Sequence, residues 1–366
     1  MRHLRSLPQN KKIDIILLIT VILLCLLGLL AVFDASQFQA FQEFGDKMYF
    51  IRQQLISAGI GFIFLTFFVF FDYHRLEKIA LPLLLFSILL LILVFVPGFG
   101  VLAGGAHRWL KFGGFTIQPA EIIKLSSIIY LASVFQKAAN TKIFITVFSI
   151  VAIIIGVFQK DLGSAIVYSL IVFSLYFIAE APISHFLGLF FIGISGAVAF
   201  IITAPYRVQR VLAFMDPFAD TQGFTYHISQ VLIAIGSGGL LGLGIGQSRQ
   251  KFSYIPEVTT DSIFSIIGEE IGFIGCLLLI SIIGLLIHRA FKIAENASDK
   301  FGKFLAVGLV VWLGSQTIVN LAAMVSLLPL TGVPLPFISY GGSALIANLV
   351  SVGILLNISK QGHTHR

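Results

Sequence analysis

The chain has 366 residues, of which 57% are hydrophobic and only 11% charged, with a formal net charge of +7. A soluble protein averages about 25% charged residues, and no soluble core absorbs this much apolar surface; a bilayer does, at roughly 20 apolar residues per crossing. The positive balance is explained first by cytoplasmic Lys and Arg around membrane helices, with no call for nucleic acid. Cys25 and Cys276 both sit in apolar runs and read as small buried hydrophobes, not as a disulfide or a metal site.

The tail before Ile13 is polar and basic. The apolar run after it has full span length and no small-residue cleavage site, so the first helix is expected to stay as an anchor. Ten spans are expected, at about 13–33, 50–71, 79–97, 118–136, 142–158, 163–179, 184–204, 262–287, 303–325 and 339–358. The fold class is therefore an all-α polytopic membrane protein. It forms one domain over 1–366, with cytoplasmic tails at 1–12 and 359–366 and a long extracytoplasmic loop, 205–261, between helices 7 and 8. A cytoplasmic N-terminus puts 14 of the 24 Lys and Arg on cytoplasmic segments, as the positive-inside bias requires. Lys47, Arg52, Arg108, Lys111, Lys124, Lys160, Arg207, Arg210, Arg249 and Lys251 go against that bias. Anion binding is one reason for a basic residue to stand there. No internal repeat of the transporter kind is visible.

The polar constellations follow in chain order. Arg108-Trp109 precede Gln118-Pro119-Ala120-Glu121, with Lys124 three residues on. Pro119 suits a first helical turn. Glu121 and Lys124 share a face; they either neutralise each other within the bundle or wall an outward-open cavity. Lys160-Asp161-Leu162-Gly163 reads as a tight turn with a capping Asp, or as more of that wall. Arg207 and Arg210 open the long loop, which runs through the glycine-broken stretch Val231–Ile245 to Ser248, Arg249 and Lys251. That stretch suits a re-entrant or interfacial segment. Its N–H groups beside basic side chains suit a phosphate; alternatively, its glycines serve helix packing.

Asp261 stands where the loop enters a membrane helix, either as a cap or as a functional carboxylate. Glu257 precedes it. Glu269 and Glu270 follow within apolar sequence, where acidic residues are costly and point to function. Counting about 100° per residue puts Glu269 on the Asp261 side and Glu270 opposite. Last, three prolines and three glycines between Pro329 and Ser343 rule out a plain span. An irregular re-entry is expected there, buried in protein or lining a cavity. Gln316 and Asn320, on the helix before it, face one way.

Taken together, Arg108-Trp109 with Gln118-Pro-Ala-Glu121, Asp161-Leu-Gly163, Asp216-Pro-Phe-Ala-Asp220, Ala234–Gly239, Pro256-Glu257 with Thr260-Asp261, Gly268-Glu-Glu270 and Pro336–Ser343 resemble the motifs of the SEDS family (shape, elongation, division, sporulation). The order matches over essentially the whole chain. The runs Asp216–Asp220 and Gly246–Lys251 resemble the division branch, FtsW, more than the elongation branch, RodA. The resemblance implies a ten-span peptidoglycan glycosyltransferase of the bacterial cytoplasmic membrane, acting in cell division. It would polymerise lipid II on the outer face, with a class B penicillin-binding protein as partner transpeptidase and other division proteins nearby.

The resemblance further implies that Asp261 is the catalytic carboxylate. A sugar hydroxyl needs a general base. The departing undecaprenyl pyrophosphate needs positive charge from Arg, Lys or a divalent cation such as Mg or Mn. Arg108, Lys124, Arg207, Arg210 and Lys251 are the candidate contacts, and Glu121, Asp161, Glu257, Glu269, Ser339 and Ser343 complete the expected substrate-binding set. Three residues depart from the pattern. Lys160 stands in place of a common Pro, Thr259 in place of a His and Ser262 in place of a Phe, so no imidazole is expected beside the aspartate. Two other functions use the same cavity: a lipid II flippase, and a non-catalytic scaffold for a division complex.

Overall fold

The computed structural model describes residues 12–362, apart from 104–105, 113–114, 183, 187, 189–192, 194–195, 197–201, 203–204, 221–222, 224 and 253–254. Its helices are α1 (Ile15–Phe44), α2 (Tyr49–Phe70), α3 (His74–Lys78), α4 (Ala80–Leu93), α5 (Pro119–Phe135), α6 (Thr141–Ile153, extended by a π-turn over Ile154–Phe158), α7 (Leu162–Ile178), α8 (Pro205–Met215), α9 (Tyr226–Ser237), α10 (Ile263–Glu295), α11 (Lys300–Met324) and α12 (Gly342–Gln361). Nine of the ten expected spans overlap one of these; most of the span at 184–204 falls outside the described residues. Among the described residues, six helices are long and apolar enough to cross a bilayer: α1, α2, α6 with its π-turn, α10, α11 and α12. The chain is a multi-pass membrane protein.

Local sequence explains where the helices begin. Asp14 accepts from Leu17 N at 2.9 Å and starts α1, and the left-handed Gly45 ends it. Asn140, Asp161 and Asp299 cap α6, α7 and α11 in the same way. Pro119 occupies the first turn of α5. Helix α11 is the centre of the bundle, with 83% of its most apolar stretch buried, against 28% for α2 and α10. It packs on α5, α7 and α10, while α12 lies along α2. The outer helices turn Ile19, Leu30, Ile63, Phe70, Leu85 and Leu89 outward, where lipid tails receive them. Both cysteines are free and buried.

One end of the bundle is tied by polar side chains. Arg289 Nη2 donates to Asp14 Oδ2 at 2.6 Å, and Asp14 N donates to Ser359 Oγ at 3.2 Å. Asn357 bridges Val69 O and Tyr73 N, and Tyr73 OH donates to Asp299. The starts of α1 and α11 are thereby fixed to the ends of α2, α10 and α12.

The other end departs from the all-α expectation. Between α4 and α5 lies a three-stranded antiparallel sheet of β1 (Gly100–Ala103), β2 (Ala106–Phe112) and β3 (Phe115–Ile117). The glycine pairs Gly104-Gly105 and Gly113-Gly114 separate its strands in sequence. Val101 pairs with Trp109 and Leu102 with His107, so Arg108 is the extra residue of a β-bulge. Bulges re-aim side chains, and Arg108 is the side chain re-aimed here.

Helix α10 is broken at Gly272 (φ 66, ψ −170). A Cβ there would lie 2.3 Å from Gly242 N, and one on Gly242 would lie 2.1 Å from Glu270 O. Only glycine fits either position. Across this contact Leu243 N donates to Glu269 O (2.9 Å), Gly244 N to Glu270 O (3.0 Å), Phe273 N to Gly239 O (2.9 Å) and Ile274 N to Leu240 O (3.2 Å). The glycine-broken stretch is thus α9 followed by an irregular turn whose backbone is satisfied by the break in α10, as irregular backbone at membrane depth must be.

Candidate active site

A cavity of ≈ 450 Å³ opens at the sheet-bearing end. Its charged and polar wall includes Arg108, His227, Glu257, Thr260 and Asp261; its apolar wall includes Trp109, Phe214, Leu328, Pro329 and Leu330. Asp261 lies in the turn just before α10, not within it. Asn320 Nδ2 donates to Asp261 O and to Val333 O, both at 2.8 Å. Tyr340 N donates to Thr259 O at 2.9 Å. The aspartate's main chain is thus clamped from α11 on one side and from the proline-rich 325–341 segment on the other. Gly332, at φ +71, lies close by: a Cβ there would be 3.9 Å from Asp261 Oδ2. Glu257, also left-handed (φ 50), accepts from Thr260 Oγ1 at 3.0 Å, and the same hydroxyl lies 3.3 Å from Asp261 Oδ1.

Arg108 faces these carboxylates across the cavity. Its Nε donates to Gln159 O at 3.1 Å and its Nη2 to Lys160 O at 2.5 Å. Carbonyls orient a guanidinium without neutralising it, and among the described residues Arg108 makes no ion pair. Three of its five N–H donors are left over for an anion.

The remaining expected site residues are placed elsewhere. Lys124 Nζ lies 2.7 Å from Glu121 Oε1 and 3.2 Å from Gln316 Oε1, with both charged side chains 1% exposed. This pair sits inside the bundle, not on the cavity wall. Asp161 caps α7, accepting from Ser164 N (3.0 Å) and Ser164 Oγ (2.9 Å). Ser339 Oγ accepts from Leu335 N, and Ser343 Oγ accepts from Gln118 N; both hold the 325–341 segment and its flanks in place.

Lys251 is engaged by Asp34 (2.8 Å) and Glu270 (3.1 Å). Burial works against its charge, but the hydrogen bonds and charges of Asp34 and Glu270 outweigh it and raise its pKa above the ordinary lysine range. Glu269 accepts from Ser248 Oγ, Arg249 N and Gln250 N, so it anchors the 248–251 loop and does not flank Asp261. The wheel count fails because α10 starts at Ile263, and a helical angle cannot be carried back into the turn that holds Asp261. Arg207 and Arg210 lie on α8, and their side chains fall outside the described residues.

One imidazole does reach the site, from a position that no motif singled out. His227, in the first turn of α9, lines the cavity and has Nε2 2.8 Å from Ser262 Oγ. The only signal for it was indirect: an unusual Ser after the aspartate, and a lone His in the same loop. As for Mg or Mn, no group of three or more His, Cys, Asp or Glu among the described residues could hold a metal ion. Among the described residues, the positive charge that lines the cavity is that of Arg108.

Residues 14–364 match the family FtsW/RodA/SpoVE, described as cell cycle proteins. The chain belongs to this family. It is 40% identical over 353 residues to a probable peptidoglycan glycosyltransferase FtsW of Geobacter sp. (strain M18), covering 94% of this chain and 96% of that one. It is equally 40% identical, over 354 residues, to stage V sporulation protein E of Bacillus subtilis (strain 168), covering 95% and 97%. Among solved structures, a chain of a peptidoglycan synthase complex that coordinates polymerization and crosslinking superposes with a TM-score of 0.79 at 28% identity, covering 96% of this chain and 99% of that one. The rod shape determining protein RodA of Thermus thermophilus superposes with a TM-score of 0.71 at 27% identity, covering 98% and 100%.

Proposed function

We propose that this family member is a peptidoglycan glycosyltransferase that polymerises lipid II into glycan strands on the outer face of the bacterial cytoplasmic membrane. The observation that carries this reading is a carboxylate and an un-neutralised guanidinium, Asp261 and Arg108, on one cavity at one end of a membrane bundle. Glycosyl transfer with inversion needs two such charges. The acceptor sugar hydroxyl must lose its proton to a base as it attacks the anomeric carbon, and the lipid pyrophosphate departing from the opposite face must be met by positive charge. Asp261 is the base, and its clamped main chain keeps the carboxylate aimed at the cavity. Arg108 is the leaving-group contact, held by two carbonyls that leave its charge available. Glu257 and Thr260 orient sugar hydroxyls, and Trp109, Leu328 and Leu330 form the apolar lip that meets the lipid.

The named relatives support the activity, and the synthase complex, which coordinates polymerization and crosslinking, supports a crosslinking partner; we take that partner to be a transpeptidase of the class B penicillin-binding type. The charge balance supports cytoplasmic termini and an outward cavity. A role in cell division rests on the Asp216–Asp220 and Gly246–Lys251 runs, since FtsW and sporulation relatives stand at equal identity. Purified protein given lipid II tests the mechanism. Asp261→Asn should slow strand formation by about 10²–10⁴-fold, the usual worth of a general base. Wild-type rates of strand formation in Asp261→Asn would remove the base assignment, and lipid II translocation without polymer would favour a flippase.

A further inference from the structure

Ser262 lies directly after Asp261, at the position that caps α10, and its side chain does not cap the helix. Serine at such a position ordinarily turns its oxygen onto the free N–H groups of the first turn. Here the hydroxyl is fully buried and pairs with His227 Nε2 at 2.8 Å. His227 belongs to α9, which packs along α10 and is joined to it at the far end by the glycine contact at Gly242 and Gly272. The two helices are therefore tied at both ends, and the near tie is one residue from the catalytic carboxylate. The other charged groups on the cavity wall, Arg108, Glu257 and Asp261 itself, come from the sheet and from the turn before α10.

We propose that His227 and Ser262 act as a positioning pair for Asp261: the hydrogen bond gives up helix capping in order to fix the turn that carries the carboxylate, and it holds the imidazole as part of the cavity wall. This rests on the glycosyltransferase reading above. It makes Ser262, which departs from the family pattern, and His227 one unit, so that either residue without the other loses its purpose.

The experiment measures steady-state polymerisation of lipid II by the full-length protein with its partner transpeptidase, for His227→Ala, Ser262→Ala, the double variant, His227→Gln and Asp261→Asn, with melting in detergent recorded for each. His227→Ala and Ser262→Ala should each lower kcat by about tenfold to a hundredfold, as small misplacements of reacting groups do, with KM within about threefold of wild type. The double variant should be no slower than the slower single, because both remove the same bond. His227→Gln, whose amide both donates and accepts, should restore most of kcat. The proposal is overturned if the single effects multiply in the double variant, if KM moves and kcat does not, or if His227→Gln is as slow as His227→Ala. Should His227→Ala fail to fold, Ser262→Ala and His227→Gln carry the same comparison. An inactive Asp261→Asn with fully active His227→Ala sinks this proposal alone; an active Asp261→Asn sinks the base assignment on which it rests.

Discussion

Lys124 and Glu121 offer the sharpest test of what is structural and what touches substrate. Both side chains are 1% exposed, and Glu121 Oε2 is buried with no hydrogen-bond partner among the described residues. The pair is thus incompletely compensated even in the native protein. Lys124→Met leaves the Glu121 carboxylate stranded, at a cost of about 3–5 kcal/mol. It also gives up the ammonium contact with the Trp312 ring at 5.1 Å, worth up to about 2 kcal/mol when desolvated. A loss of about 5 kcal/mol lowers the melting temperature by on the order of 10 °C. Lys124→Met with Glu121→Leu removes both charges and should recover most of that loss, because apolar replacements of buried ion pairs are often neutral. Thermal unfolding of the wild type, Lys124→Met and the double variant in detergent reads this directly. A double variant as unstable as Lys124→Met would refute the account. Lipid II polymerisation then separates the roles: a stable, active double variant makes the pair structural, and a stable, inactive one returns Lys124 to the substrate.

Gly272→Ala should destabilise the protein by about 3 kcal/mol or more, from left-handed backbone strain and overlap with Gly242; an unchanged melting curve would refute the close contact. Lys251→Met should loosen the 248–252 loop by stranding Asp34 and Glu270, visible as faster limited proteolysis there. The raised pKa of Lys251 adds a pH signature. Its stabilisation is fully present below the unfolded lysine value and is lost as pH rises through the raised folded one. Melting temperature should therefore fall through this group only in alkaline solution, and its contribution should be flat at neutral pH, as a comparison of wild type with Lys251→Met across pH will show. Asn320→Leu removes two 2.8 Å bonds, to Asp261 O and Val333 O, each worth about 1 kcal/mol. It should lower kcat more than it raises KM; a pure KM effect would mean the clamp does not orient the carboxylate.

Spans were readable because lipid imposes length and apolarity on every crossing, and α1, α2, α11 and α12 each show both. Asp261 was readable as an acidic residue at a membrane helix start. Arg108 was readable as a basic residue standing against the positive-inside bias, and Asn320 as a polar residue on the helix before the re-entry. His227 and the clamping contacts were not, because they join distant segments: Asn320 from α11, Arg108 from a bulged strand, His227 from α9. The sheet was missed since its strands are three to seven residues long and lie between membrane helices. Glu269 looked functional because an acidic residue in apolar sequence does so by default, and Lys251 because it follows the glycine run of the long loop as a basic residue on the outer side. In space they satisfy Ser248, Arg249, Gln250 and Asp34, a use of charge that no spacing rule distinguishes from substrate binding.

The interlocked glycines around Gly242 and Gly272 also constrain how this protein is made. The four hydrogen bonds across that junction join the turn after α9 to the break in α10. A ribosome delivers residues 239–244 first, and the N–H groups of Leu243 and Gly244 and the C=O groups of Gly239 and Leu240 meet their partners only when the later strip, residues 269–274, has followed. The turn therefore waits at the polar membrane surface, where water can serve it, and seats itself only once α10 has crossed. Asp261, carried between the two, reaches its final position as a late event of assembly. A newly made chain inserts first and becomes competent for chemistry afterwards.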